Sequence, residues 1–283
     1  MSLKDILVHL DSGARSAVRL EAAATLAARH GAHLTGVFVV DIPNTDYFYG
    51  AGFPMAGLGP DQLIDTLTAE ARAGAEPVEA AFRALLRTAN LQGEWRIVEG
   101  HTPAVLSTEA RYADVVIVGQ PDDPRRPDNR GRLAVETVLM TSGRPVLVIP
   151  FAGTFPSLTD HILVAWNGSR EATRAVHDAM PLLREAKQVT ILSVNPRAPV
   201  DEDENPRTDL ATHLSRHGVR TETTRTVAED ISDGEALLSY ASDIAASMIV
   251  AGGYGHSRAR EMVFGGVTRT LMAEMTVPVF FSH

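Results

Sequence analysis

The chain has 283 residues, 45% hydrophobic and 22% charged, with a formal net charge of -9 and no cysteine. That length holds one large domain or two ordinary ones, and the composition is that of a folded globular protein. The negative charge disfavours nucleic acid and anionic membranes as partners, and the missing cysteines exclude disulfides, thiolate nucleophiles and Cys-ligated zinc.

The opening MSLKDILVHLDSG carries an apolar run too short for a signal-peptide core. No apolar stretch reaches the ~18 residues of a membrane span, so a cytoplasmic location is expected. Within that opening, Asp5-Ile-Leu-Val-His-Leu-Asp11 reads as a first strand and Asp11-Ser-Gly13 as a polar turn. A helix follows, with Ala17, Leu20, Ala24 and Ala28 on one face. A second strand covers Leu34 to Val40. The segment Asp41 to Pro60, with Tyr47, Phe48, Tyr49, Phe53 and four glycines, is either a cover for the domain's apolar edge or a lid or contact surface. A helix, a strand at Glu94 to Val98, a helix begun at His101-Thr-Pro103, the strand Val115 to Gly119, a further helix and the strand Arg144 to Ile149 complete this half.

Beyond Phe151 to Leu158, read as a linker, the pattern begins again. His161-Ile-Leu-Val-Ala-Trp-Asn167 stands 156 positions after its counterpart, followed by the turn Asn167-Gly-Ser169 and a helix carrying Ala172, Val176 and Met180. Strands at Val189 to Val194 and Thr221 to Val227 match the second and third. Met248-Ile-Val-Ala-Gly252 and Val277-Pro-Val-Phe-Phe281 lie 133 positions after their partners. Apolar strands alternating with amphipathic helices imply a parallel sheet covered on both faces. The predicted organisation is two tandem α/β domains, residues 1–152 and 159–283.

The segment GGYGHSRAREMVFGGVT, residues 252–268, holds five glycines. Gly252 ends a strand, where open parallel sheets bind ligands. Gly255 follows after two residues and Gly265 after nine more, and Val267-Thr268 opens a helix. Backbone amides at glycine turns and a helix start form a donor array suited to phosphate oxygens. Neither the Walker loop nor Gly-x-Gly-x-x-Gly fits this spacing.

Gly252-x2-Gly255-x9-Gly265, after a domain opening with Ile-Leu-Val-Ala-x-Asn-Gly-Ser, resembles the nucleotide-binding signature of the universal stress proteins, and the resemblance runs through both halves. It implies a five-stranded parallel sheet between helices in each half, Rossmann-like and similar to the adenine nucleotide alpha-hydrolase superfamily. It also implies an ATP site, with or without Mg2+, in the second half. There Ala165 would flank adenine and the backbone around Val194 would recognise it. Asn167 and Gly252, next to Ala251, would face the ribose. Gly255, Gly265, Gly266 and Val267, with Thr268 in the same helical turn, would surround the phosphates, and His256 and Arg258 either reach the γ-phosphate or form a solvated loop. Trp166 is read as core or interface rather than a stacking platform.

This sequence departs from the family pattern at two positions. Asn167 replaces the usual aspartate, losing its charge, and Gly266 replaces a Ser or Thr, removing a hydroxyl but keeping the amide. In the first half Asp122, Arg132 and Leu133 stand where Gly255, Gly265 and Gly266 do, so that half is expected to hold no triphosphate. The histidines are read as forming no metal site, and no general acid/base constellation is found, so at most slow ATP hydrolysis is expected. The leading expectation is a stress-response regulatory module that binds an adenine nucleotide and acts on an unidentified protein partner. The alternative is a nucleotide-independent scaffold. Because family members pair through their last strands, the two halves are expected to pair as an internal pseudo-dimer, with a homodimer of whole chains as a further option.

Overall fold

The computed structural model describes residues 2–41, 60–121, 130–196, 206–255 and 266–283. The first half runs β1 (Asp5–Leu10), α1 (Ser16–His30), β2 (His33–Val40), α2 (Pro60–Ala89), β3 (Gly93–Glu99), α3 (Thr102–Glu109), β4 (Val115–Gly119), α4 (Arg130–Thr141) and β5 (Val146–Ile149). The second runs β6 (His161–Ala165), α5 (Arg170–Asp178), α6 (Met180–Glu185), β7 (Gln188–Val194), α7 (Pro206–Arg216), β8 (Thr221–Thr226), α8 (Asp233–Asp243), β9 (Met248–Gly252), α9 (Gly266–Glu274) and β10 (Val279–Ser282).

The strands form one sheet ordered β3-β2-β1-β4-β5-β10-β9-β6-β7-β8. Five are parallel within each half, as expected for a doubly wound α/β fold. The halves meet where β10 lies antiparallel to β5, with Val279 opposite Val148, Phe280 opposite Leu147 and Phe281 opposite Val146. The last strands therefore pair internally.

Alternation along each strand sends successive side chains to opposite faces. Ile6, Val8, Leu147, Ile162, Val164 and Phe280 pack in the core on one face. Leu7, Val146, Val148, Leu163, Ile249 and Phe281 pack on the other. Each layer runs through both halves, and burying each such side chain stabilises the fold by roughly 1.5–3 kcal/mol.

Two helices differ from the sequence reading. In α1, Leu20 and Ala24 are buried as expected, but Ala17 and Ala28 are exposed, and the buried line also takes Ala23, Ala27 and His30. An alanine-rich helix offers too little contrast between its faces to fix the angle. Helix α2 spans 30 residues with Pro77 inside it, although proline removes a backbone bond there. Val78 and Phe82 beyond Pro77 pack into the core, and Phe82 lies 5.5 Å from the Trp95 ring, so tertiary packing carries the helix through. At α3, His101 occupies the N-cap without a side-chain bond.

Candidate functional site

In the second half β6 leads to β7 on one side, while β9 leads to β10 on the other. The carboxyl ends of β6 and β9 thus flank a topological switch point. A cavity of about 230 Å³ opens there. Ala165, Asn167, Val194, Ala251, Gly252, Gly255, Gly266, Val267 and Thr268 all line it. The fold thus brings together nine of the residues singled out from the sequence. His256, Arg258 and Gly265 lie outside the described residues, as do the aromatics of the 42–59 segment and Asp122.

The turn after β6 is built from its own side chains. Asn167 Oδ1 accepts from Ser169 N at 3.0 Å, and Ser169 Oγ caps α5 by accepting from Ala172 N at 3.2 Å. Gly252 packs directly beneath this helix start. A methyl group there would lie 2.5 Å from Ala172 N and 2.6 Å from the carbonyl carbon of Glu171, so only glycine lets the strand end approach so closely. At Gly255 a methyl would lie 2.9 Å from Glu171 Oε2. Gly266 faces open space at the amino end of α9.

Sequence reasoning missed two acidic lining residues, Glu171 and Asp233. Burial alone would raise the Glu171 carboxyl. Its own backbone N–H, Arg170, His283 and the Ser169 hydroxyl outweigh that and hold it below the ordinary carboxylate range. Asp233 opens α8 behind a capping box, in which Ser232 Oγ accepts from Glu235 N at 3.2 Å and Glu235 Oε2 from Ser232 N at 2.8 Å. The pattern Ser-x-x-Glu marks such a start in sequence. Asn195 Nδ2 donates to Asp233 Oδ1 at 2.7 Å, tying the end of β7 to α8. Trp166 lines the cavity and also packs against the core.

Tyr254 adopts a left-handed backbone, φ 58°. Its N–H donates to Thr268 Oγ1 at 3.2 Å. Its hydroxyl lies beside Glu136 of α4, and burial together with that carboxylate pushes the phenol above its usual range. Reciprocally, Gln120 at the end of β4 donates through Nε2 to Met272 O at 2.9 Å. Each strand end therefore touches the last helix of the other half.

In the first half a guanidinium lies at the corresponding strand end. Arg19, counterpart of Ala175, donates to Asp11 Oδ2 at 2.5 Å, to Ser16 Oγ at 2.9 Å and to His9 O at 3.1 Å. It lies so close to Gly119, counterpart of Gly252, that a methyl there would collide with Nη1. Burial first, then Arg19, lowers His9 to about 4 against the pull of Asp11. Burial would raise Asp11, and Arg19, His9, the Gly13 N–H and Ser16 override it and lower the carboxyl. Below pH 6.5 an unfolded His9 takes a proton that the folded one refuses until about pH 4. That pair alone costs stability as pH falls through this window. Arg19→Ala is expected to raise both groups, His9 toward 6.5, and an NMR titration that finds them unmoved would refute the assignment.

His213 and His217 are spaced His-x-x-x-His in the sequence and form an i, i+4 pair, with ring centroids 4.7 Å apart, and His177 lies 5.3 Å from His213. Among the described residues no group of His, Asp or Glu is arranged to hold a metal ion. Nor is any described helix long and apolar enough to cross a membrane.

A doubly wound sheet with a glycine-walled cleft at its switch point has its cavity where open α/β sheets bind ligands. Residues 159–283 match the model of the universal stress protein family, and the first half repeats the strand order of that segment. Among solved structures, a universal stress protein from Archaeoglobus fulgidus DSM 4304 is similar at TM-score 0.73 and 18% identity, covering 98% of this chain and 96% of its own. A functionally unknown protein from Pseudomonas aeruginosa PAO1 is similar at TM-score 0.60 and 14% identity, covering 99% and 92%. These likenesses are of fold. No curated protein sequence matches the chain.

Proposed function

We propose that the chain is a stress-response regulatory protein that binds ATP, or a related adenine nucleotide, in its second half and signals through conformation rather than fast turnover. In this reading residues 1–152 and 159–283 act as two universal stress domains, the first without nucleotide. The observation that carries it is the asymmetry at the two switch points: a glycine-walled cavity after β9, and the Arg19 guanidinium in the matching space after β4. Ala165, Leu192 and Val194 offer adenine an apolar slot, and the amides of Gly255, Gly266 and Val267 offer donors to phosphate. Because the Asn167 carbonyl oxygen is engaged by Ser169 N, its amide group would donate to a ribose hydroxyl.

The test is calorimetric titration with ATP and Mg2+ after bound nucleotide has been stripped, beside a Gly255→Asp/Gly265→Arg variant that copies the first half's residues into the second. One site per chain, lost in the variant, is the expected result. A wild-type protein that takes up no nucleotide sinks the proposal and favours the scaffold.

A further inference from the structure

We infer that Glu171 makes the second-half cavity selective for a nucleotide delivered as its divalent-cation complex, with the carboxylate on the cation's side of the phosphates. The inference rests on the nucleotide reading above. Glu171 occupies the second position of α5, its side chain only 12% exposed. Its main chain forms the floor beneath Gly252, and Oε2 lies 2.9 Å from where a Gly255 side chain would begin. The carboxylate therefore stands against the same glycine wall that would receive phosphate oxygens.

Among the described residues, the charge of Glu171 is poorly compensated. Arg170 Nε approaches Glu171 Oε1 at 3.5 Å, but its side chain is 79% exposed, and exposed pairing of this kind neutralises little. Among the described residues the His283 ring also lies near Glu171, and it is engaged through Nδ1 with Gly253 O at 3.0 Å. The second lining acid, Asp233, adds to the negative field. A bare polyphosphate placed at Gly255 meets like charge at close range, which opposes binding. A hard divalent cation reverses the sign, because such ions are held by one or two carboxylates together with substrate phosphates. Glu171 would give the cation an oxygen ligand, while the amides at the glycine wall would hold the phosphate oxygens that share it.

A purely structural role is also available to Glu171, since an acid in the first turn complements the helix dipole. The two roles separate in one experiment. ATP and adenosine are titrated into wild-type protein and Glu171→Gln, each in EDTA and in Mg2+. Removing Mg2+ should weaken ATP binding to wild type by about tenfold or more, and to the variant by no more than about threefold, with the variant gaining affinity in EDTA. Adenosine, which has no phosphate, should bind both proteins alike in either buffer, reporting that the pocket is intact. Equal cation dependence in the two proteins, or none in wild type, overturns the inference and leaves the nucleotide reading standing. If neither ligand binds either protein, the nucleotide reading itself fails and takes this inference with it.

Discussion

Gly252→Ala should lower stability by about 1–3 kcal/mol and abolish nucleotide binding. The reason is backbone against backbone. The added methyl would sit 2.5 Å from Ala172 N, an atom held in place by its bond to Ser169 Oγ, so no side-chain rotation relieves the contact. Either α5 lifts away from β9 or the strand end is displaced, and both movements distort the floor of the cavity. Gly266→Ser is the matched control. Its side chain enters open space and restores a hydroxyl at the amino end of α9, so stability should hold within about 0.5 kcal/mol while ATP affinity is kept or improved. Denaturant unfolding and calorimetry on the three proteins check both halves of the prediction. A Gly252→Ala protein that binds ATP as wild type does would show that the cavity floor is not where the ligand sits.

Phe281→Ala should cost about 3–5 kcal/mol, the range for emptying a fully buried aromatic position. Phe281 is 0% exposed and pairs with Val146 across the β5–β10 junction. Its packing layer includes Val116 and Val148 from the first half and Ile249 and Leu271 from the second. The loss should therefore be felt in both halves. The two tryptophans, Trp95 and Trp166, fall one in each half, so single-tryptophan variants report each separately. Both probes should unfold in one transition in the parent, and both midpoints should shift by the same amount in Phe281→Ala. A shift confined to Trp166 would mean that the junction does not couple the halves.

Much of this architecture is legible in the sequence because it rests on local pattern. Strands such as Val115-Val-Ile-Val are wholly apolar because helices cover both sheet faces, and the offsets of 156 and 133 residues carry one template through both halves. The glycine at the end of β9 can be read for the same reason, since Gly252 answers to a fixed approach of backbone to backbone. Other features depend on which element packs where. Arg19 looks like a surface residue of an alanine-rich helix, and only the meeting of α1 with β4 turns it into a buried plug. Glu171 reads as a first-turn acid until the strand carrying Gly252 is placed against it. Tyr254 offers no sequence clue to its contact with Glu136, 118 positions earlier. The His213 and His217 pair, by contrast, is visible in the spacing.

The antiparallel pairing of β10 with β5 joins two related strands that belong to one chain. An association of separate subunits weakens on dilution and constrains both faces to a single sequence. Here the contact is intramolecular, so it persists at any protein concentration, and the stoichiometry of the halves is fixed at synthesis. Each half is then free to change its cleft without changing the other's. A guanidinium in one and a cavity in the other are differences that a symmetric homodimer, built from two copies of one sequence, could not maintain.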